Sequence, residues 1–415
     1  MYESLSSLLS SDLNFHDKNS TYSSHAIHAF AAKFPPQLPR AFIESLTNPG
    51  DVVLDPMSGS GTTILEAYLL NRRGVGCDID PLAVKMARVK TTPLEVDCFQ
   101  LIPEVIRNAV NILKDEAKVN QAISSRFDRK TKEFIDYWFF PETQKELMAL
   151  LLAIDNYEKG PVRELLEVIF SSIIVTKSGG VSRARDLAHS RPHLDPEKKP
   201  RNAIKAFEQR LLKFAPIIAA LPVHDYPATI KQCNAKSLSI KDNSVHLVMT
   251  SPPYANAIDY MRANKFSLVW LGMSISDLGK LRSKYIGNEA TGKMKMEMLP
   301  EYTESILSSL MAKDKKKEAV LRKYYMEMRD AMREMYRVLI PGHYAILVVG
   351  TSIMRGVDVK TPQCLGDIAR TLGFQLETIQ SRELDRDRRM MPFGNGNTHI
   401  EQRMVTEEVI ILKKP

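Results

Sequence analysis

The sequence contains few cysteines and no long apolar run. The four cysteines, Cys77, Cys98, Cys233 and Cys364, lie far apart in the 415 residues and form no C-x-x-C pair. A disulfide framework and a cysteine-based zinc site are therefore not expected, no metal is predicted, and a reducing cytoplasm is the expected location. The amino terminus lacks the basic and apolar regions of a secretory leader, and no stretch reaches the about 18 apolar residues of a membrane helix. We therefore expect a soluble intracellular protein.

Basic residues are in excess. Lys and Arg number 57 against 49 Asp and Glu, for a net charge of +8, while hydrophobic residues at 44% allow a large core. The segment 177–213 holds ten basic and four acidic residues, a local charge of +6. Such a surplus suits a polyanionic partner such as nucleic acid. The alternative is a solvated surface loop.

Strand-like and helix-like segments alternate over much of the chain. The strand-like segments are 51–54, 74–78, 245–250, 344–350, 374–379 and 405–412. The alternation predicts an α/β fold with a mainly parallel sheet. The last two strands are joined by a polar loop without a helix, which predicts an antiparallel pair at one edge. We divide the chain into three parts. Residues 1–93 are an amino-terminal arm with the first half of the sheet, and residues 94–229 are a mostly helical insertion that carries the basic segment and is the candidate region for recognition of nucleic acid. Residues 230–415 are the second half of the sheet with a helical insertion at about 272–335.

A glycine-rich turn, DPMSGSGTT, spans residues 55–63 between the first predicted strand and helix. Glycines let the backbone turn sharply and approach a ligand, and the start of a helix presents free N–H groups. No G-K-[ST] follows and the full G-x-G-x-x-G spacing is absent, so phosphate binding is poorly supported. The turn suits a carboxylate or amino-acid moiety, and Asp78 ends the next strand, where an acid can accept hydrogen bonds from ribose. The alternative is a purely structural turn.

A second motif, Ser-Pro-Pro-Tyr, spans residues 251–254 after a predicted strand. Two prolines stiffen the backbone and remove two N–H donors, which leaves carbonyl acceptors. The Ser251 hydroxyl and the Pro252 carbonyl can accept hydrogen bonds from the exocyclic amine of a nucleobase, while Tyr254 can stack on the ring. The alternative is an ordinary proline turn with a packed tyrosine. Because both motifs end strands of one sheet, they should face one crevice.

Together, DPMSGSGTT and TSPPY resemble the cofactor loop and the catalytic loop of the amino-group DNA methyltransferases, which act on cytosine N4 or adenine N6. AAKFPPQLPR resembles the amino-terminal cofactor segment of that family, and GVGCDIDPLAV extends the similarity. The resemblance implies a Rossmann-like class I methyltransferase fold, with a mixed seven-stranded sheet whose antiparallel strand lies at the edge. It also implies S-adenosyl-L-methionine as cofactor and double-stranded DNA as partner.

The resemblance assigns roles to individual residues. The catalytic residues are Ser251, Pro252, Pro253 and Tyr254. The cofactor-binding residues are Lys33, Phe34, Pro35, Asp55, Pro56, Ser58, Gly59, Ser60, Gly61, Thr62, Thr63, Asp78, Ile79, Asn234 and Ala235. Asn234 stands near the place of an acid that contacts the adenine amine in the family, and it keeps a carbonyl acceptor. From the basic segment, the candidate DNA-binding residues are Lys177, Arg183, Arg185, Arg191 and Arg201.

The resemblance implies transfer of a methyl group to the amine of a flipped base. It favours cytosine N4, because a serine opens the tetrapeptide more often in the cytosine-N4 members of the family. No Pro-Cys pair occurs, which sets aside cytosine C5 chemistry. The alternatives are an adenine-N6 enzyme, an RNA amino-methyltransferase and an inactive DNA-binding subunit. The sequence leaves open the recognition site, which insertion reads the DNA, and whether a restriction endonuclease acts alongside.

Overall fold

The computed structural model describes most of the chain. The described residues are 5–16, 18–30, 33–95, 97–176, 180–185, 192–199, 201–255, 261–290, 295–384 and 405–415.

In this part of the chain, seven strands form one sheet in the order β3-β2-β1-β4-β5-β9-β8, and two short strands form a separate ribbon. The strands are β1 (Val52–Asp55), β2 (Arg73–Asp78), β3 (Thr229–Gln232), β4 (Val245–Thr250), β5 (Leu339–Val349), β6 (Ile353–Met354), β7 (Val357–Asp358), β8 (Gln375–Glu383) and β9 (Thr406–Lys413). Strands β1 to β5 are parallel neighbours. The seven-stranded mixed sheet that the resemblance implied is therefore present.

The predicted antiparallel pair at one edge is confirmed: it consists of β8 and β9. Within that pair β9, which is antiparallel to both β5 and β8, lies one place in from the edge, and β8 is the outermost strand. Composition explains the order. Val409 to Leu412 are fully buried between two neighbours, whereas β8, with the sequence QLETIQSRE, is polar and only partly buried. A polar strand tolerates the exposed edge better than an apolar one.

Helices cover both faces of the sheet, and several of them pack together in a lobe that continues from the helix that follows β2. They are α1 (Leu5–Leu9), α2 (Gln37–Leu46), α3 (Thr62–Leu69), α4 (Pro81–Thr91), α5 (Cys98–Lys114), α6 (Glu116–Arg126), α7 (Arg129–Trp138), α8 (Pro141–Asp155), α9 (Pro161–Ile174), α10 (Ala203–Ala219), α11 (Met261–Leu268), α12 (Ile275–Arg282), α13 (Glu301–Met311), α14 (Lys315–Val338) and α15 (Thr361–Thr371). Among the described residues, none of these helices is both long and apolar enough to cross a bilayer.

Two distant stretches of chain share one hydrophobic core, which we call the helical lobe: α5 to α10 together with α11 and α12. The Trp270 ring, fully buried, lies 5.3 Å from the Phe127 ring and 5.5 Å from the Phe139 ring. The Phe266 ring lies 5.0 Å from that of Phe134. Helix α11, the first described element after the Ser-Pro-Pro-Tyr segment, therefore belongs to the lobe.

Candidate active site

The glycine-rich turn is held by hydrogen bonds to β2. The Ser58 N–H donates to the Cys77 carbonyl at 2.9 Å, and the Gly59 N–H donates to Asp78 Oδ2 at 2.7 Å. Gly59 has a φ of 49°, in the left-handed region that glycine adopts without a Cβ penalty. The turn and the acid that ends β2 therefore form one unit.

Helix α4 supports the turn from the other side. Gly61 has a φ of 80°, and a Cβ added there would come within 2.6 Å of Ala87 Cβ. Lys90 is fully buried, and its Nζ donates to the Ser60 carbonyl at 2.7 Å. Burial lowers the pKa of Lys90 well below its usual value. Close packing and this hydrogen bond fix the shape of the turn.

Asp78 and Asp80 connect the turn to the helical lobe. Asp80 Oδ1 caps α4 by accepting the Leu82 N–H at 2.8 Å, and Asp80 Oδ2 accepts from Asn264 Nδ2 of α11 at 2.6 Å. Asp78 Oδ1 accepts the Asp80 N–H at 2.9 Å. Burial, together with the neighbouring Asp80 carboxylate, raises the pKa of Asp78 to about 7.

A buried hydrogen bond joins the ends of β1 and β4, where the two sequence motifs begin. Thr250 Oγ1 donates to Asp55 Oδ1 at 2.7 Å, and the Met57 N–H donates to the same oxygen at 3.2 Å. Burial raises the pKa of Asp55 to about 6. Because Ser251 follows Thr250 directly, the glycine turn and the Ser-Pro-Pro-Tyr segment meet at this point.

One cavity, about 900 Å³ with its open mouth included, lies at this edge of the sheet. Its lining includes these predicted residues: Lys33, Phe34, Asp55, Pro56, Ser58, Gly59, Ser60, Thr62, Asp78, Ile79, Asn234, Ala235, Ser251 and Pro253. The predicted residues outside the lining are Pro35, Gly61, Thr63, Pro252 and Tyr254.

Two buried hydroxyl groups in this cavity indicate a polar ligand. Ser58 Oγ and Ser60 Oγ are buried, and neither has a hydrogen-bond partner among the described residues. A buried hydroxyl without a partner costs free energy unless a ligand or water completes its hydrogen bonds. Both belong to the glycine turn, so the missing partner should lie against that turn.

Tyr254 packs beside the cavity and not inside it. Its ring contacts Leu384, and its hydroxyl donates to Glu407 Oε1 at 2.6 Å. Glu407 also pairs with Arg382, and both are buried. Arg382 Nε donates to the Leu13 carbonyl at 3.1 Å. The predicted catalytic tyrosine is therefore connected to β8, β9 and the amino-terminal arm; that it stacks on a base stays a prediction.

The end of β3 contributes Asn234 and a cysteine pair. Asn234 Oδ1 accepts the Lys236 N–H at 3.0 Å, which leaves one lone pair for a ligand. The expectation of no disulfide is wrong for Cys77 and Cys233, which form one with their Cα atoms 5.4 Å apart. The pairing of β2 with β3 brings together two residues separated by 156 positions, and no spacing rule detects such proximity. The expectation of a reducing location relied on four unpaired cysteines, and two of the four are paired.

Several lining residues were not predicted. Met57 belongs to the DPMSGSGTT turn, and Phe30 directly precedes the AAKFPPQLPR segment, so their places in the sequence could have identified both. The Phe30 ring packs on Gly59. Lys284, Tyr285 and Ile286 follow α12 and carry no motif. Only the folded chain places them there.

The predicted DNA-binding residues have different environments. Lys177 and Arg191 lie outside the described residues. Arg183 is half-buried: its guanidinium donates to the Tyr137 carbonyl at 3.3 Å and lies 4.7 Å over the Phe140 ring. Arg185 and Arg201 are exposed. Arg183 therefore anchors its segment to the helical lobe, and the other two are available to a polyanion.

The sequence is similar to known DNA methyltransferases, and the similarity includes residues of this site. A DNA methylase family model, that of the N6/N4 methyltransferases, matches residues 9–89, which include the glycine turn and Asp78. The Type II methyltransferase M.MvaI of Kocuria varians is 25% identical over 97% of this chain and 93% of its own length. The chain is therefore similar to the amino-group DNA methyltransferases, at the glycine turn through the family model and over nearly its whole length through M.MvaI. The Type II methyltransferase M.AvaI of a Nostoc strain is 23% identical over 87% of this chain and 79% of its own. Among solved structures, a TehB-like methyltransferase from Corynebacterium glutamicum has a TM-score of 0.30 at 9% identity, covering 91% of this chain and 87% of its own.

S-adenosylmethionine is the cofactor that the resemblance to these methyltransferases implies, and the cavity fits it. The unpartnered hydroxyls of Ser58 and Ser60 suit the carboxylate and amine of its methionine part, and Asp78 suits the ribose hydroxyls. Ser251 lies on the lining at the end of β4, two strands from Asp78.

Cofactor affinity should rise with pH if the Asp78 carboxylate holds the ribose. With its pKa near 7 in the folded chain, Asp78 is largely protonated at pH 6 and ionised at pH 8. The folded pKa lies above the ordinary value of ~3.9, so its contribution to stability is present at low pH and is lost as the pH rises to about 7. Calorimetric titration with S-adenosylhomocysteine between pH 6 and 8 should show tighter binding at high pH. The same dependence in Asp78→Asn would contradict the assignment.

Proposed function

We propose that this chain is a site-specific DNA methyltransferase that transfers a methyl group from S-adenosylmethionine to cytosine N4 of a flipped base in double-stranded DNA. The observation that carries the proposal is the meeting of the glycine turn and Ser251 in one cavity, through the Asp55–Thr250 hydrogen bond. A cytoplasmic location and a companion restriction endonuclease remain predictions.

The chain's own residues would prepare the amine and not activate the methyl group. Bound S-adenosylmethionine supplies a sulfonium methyl group that is already electrophilic. Ser251 Oγ and the Pro252 carbonyl would accept hydrogen bonds from the amine, which favours a pyramidal nitrogen whose lone pair points at the methyl carbon. The glycine turn and Asp78 would hold S-adenosylmethionine, which would supply its methyl group to that nitrogen and leave as S-adenosylhomocysteine with the S–C electron pair, while the amine would lose one proton to water. No covalent attachment of the base is required.

The target must leave the helix because its amine is not reachable inside a duplex. Flipping costs a few kcal/mol, which contacts to the free base and to phosphates can offset. Ser251 supplies a neutral acceptor, which is compatible with the amine of neutral cytosine. Adenine has a similar amine, so the choice of base depends on direct measurement.

Nucleoside mass spectrometry of DNA treated with the purified chain and labelled S-adenosylmethionine tests the base. We expect label in N4-methylcytosine, and label only in N6-methyladenine would contradict the proposal. Label in RNA, offered in a parallel reaction, would favour the RNA methyltransferase alternative. No label in either nucleic acid would favour the inactive-subunit alternative. Ser251→Ala should lower the single-turnover rate by about tenfold to a hundredfold with unchanged cofactor affinity, because one hydrogen bond to the amine is removed.

The basic segment gives a second prediction. Replacing Arg185 and Arg201 with Gln should weaken DNA binding for every sequence and flatten the plot of log K against log salt by about 0.9 for each phosphate that the protein no longer neutralises. Arg183→Gln is the matched control: it should lower the melting temperature and leave the slope unchanged, because that side chain is bound to the lobe. An unchanged slope in the double variant would mean a merely solvated face.

A further inference from the structure

Three residues in one wall of the cavity lie outside every recognised motif. Lys284, Tyr285 and Ile286 line the cavity together with Asn234 and Ala235. Ile286 and Ala235 are apolar, and they are 9% and 6% exposed. The cavity thus has two apolar wall residues from parts of the chain that are about fifty positions apart.

One carboxylate binds the residues that directly follow the two apolar wall residues. Glu327 of α14 is 7% exposed. Its Oε2 accepts the Gly287 N–H at 3.2 Å, and its Oε1 accepts from Lys236 Nζ at 3.1 Å. Gly287 directly follows Ile286, and Lys236 directly follows Ala235. The two residues that Glu327 holds are therefore the immediate neighbours of the two apolar wall residues.

A second charged side chain of α14 holds the same loop. Lys323, 6% exposed, donates from Nζ to the Asn288 carbonyl at 3.2 Å, to Asn288 Oδ1 at 2.8 Å and to the Ala290 carbonyl at 2.7 Å. Burying two charged groups one helical turn apart is costly unless each is fully hydrogen-bonded. Here both groups bind one loop, so the position of that loop is closely specified.

The order of the strands indicates which part of the cofactor lies there. Ser251 follows β4, the glycine turn follows β1, Asp78 ends β2 and Asn234 follows β3, and these strands are adjacent in that order. With the reacting methyl group at β4 and the ribose at Asp78 of β2, the end of β3 is left for the adenine ring. Ile286 and Ala235 are at this end, and apolar side chains suit the two faces or the edge of a flat base.

We infer that Glu327 is a positioning residue for the adenine end of S-adenosylmethionine, acting through the spacing of Ile286 and Ala235. This inference rests on the proposed function, because it takes the reacting group to lie at Ser251. It gives the second insertion a role in cofactor binding that no motif assigns.

Calorimetry with two ligands tests the inference. Glu327→Gln keeps an acceptor for the Gly287 N–H and loses the ion pair with Lys236, whereas Glu327→Leu loses both. We expect the Kd of S-adenosylhomocysteine to rise roughly tenfold in Glu327→Leu and less in Glu327→Gln, as loss of a buried charged hydrogen bond implies. The Kd of 5′-methylthioadenosine, which lacks the amino-acid part, should rise by the same factor. In turnover, KM for the cofactor should rise while kcat at saturation stays within about twofold.

Glu334→Leu is the matched control. Glu334 lies on the same helix, accepts the Leu238 N–H at 2.7 Å and pairs with Arg337, but Leu238 is not on the cavity lining. This variant should lose stability without a change in either Kd. If Glu327→Leu does not fold, Glu327→Gln and Ile286→Ala replace it. Unchanged Kd values in all Glu327 and Ile286 variants overturn the inference alone. A natural chain that binds neither ligand overturns the proposed function as well.

Discussion

Replacing Glu407 with alanine should lower the free energy of unfolding by about 3 to 5 kcal/mol, the usual cost of removing one partner of a buried ion pair. Arg382 would keep its charge in the interior, where its remaining partners are carbonyl oxygens of the amino-terminal arm. The Tyr254 hydroxyl would also lose its acceptor. Urea unfolding measures the first effect, and single-turnover methylation at saturating cofactor measures the second.

Glu408→Ala is the control for this variant. Glu408 is next on β9, is only partly buried and accepts from Ser381 Oγ at 3.0 Å. It should cost less than about 1 kcal/mol, in keeping with a partly exposed polar contact. Comparison with Tyr254→Phe, which removes only the hydroxyl, separates loss of stability from displacement of the ring. Equal stability of Glu407→Ala and Glu408→Ala would contradict the buried-pair argument.

Gly61→Ala should abolish cofactor binding and destabilise the fold by about 2 to 5 kcal/mol, since it adds backbone strain to overpacking. The φ of 80° is unfavourable for alanine, and the new Cβ would lie 2.6 Å from Ala87 Cβ and 2.8 Å from Ala87 Cα. Neither of these atoms is the end of a flexible side chain. The turn would have to move away from α4 and from Lys90.

A variant at Gly356 is the control that separates backbone strain from the collision with Ala87. It has a φ of 77°, close to that of Gly61, and an added Cβ there meets nothing within 4 Å. Gly356→Ala therefore carries the strain without the collision and should cost about 1 to 2 kcal/mol. Thermal unfolding of both variants and calorimetry with S-adenosylhomocysteine provide the comparison. Equal losses of stability in the two variants would mean that the packing against Ala87 is unimportant.

The parts of the site that sequence could predict are those whose chemistry is local. A left-handed turn requires glycine, and Pro-Pro stiffens a backbone wherever it occurs, so the turn at 55–63 and the tetrapeptide at 251–254 were visible as motifs. The same holds for Asp78, because it ends a strand. The alternation of strands and helices predicted the sheet for the same reason.

The remaining parts depend on contacts between distant residues. Nothing near Tyr254 indicates that Glu407 accepts its hydroxyl, and Lys284 to Ile286 have no distinctive pattern. The disulfide between Cys77 and Cys233 depends on strand pairing. The position of β9 in the sheet depends on the relative hydrophobicity of β8 and β9, because the more apolar strand takes the interior place. The polar loop between the two strands predicts only that they pair antiparallel.

The shared core of the helical lobe limits how the first insertion can be exchanged between relatives. Trp270 and Phe266, from the second half of the chain, pack on Phe127, Phe139 and Phe134 of the first insertion. A chimera that receives residues 94–229 from a relative would set foreign helices against native α11 and α12, leaving mismatched aromatic surfaces beside the Asn264–Asp80 hydrogen bond. A chimera should therefore take residues 94–229 and 261–285 from the same parent protein, because the two segments share one core.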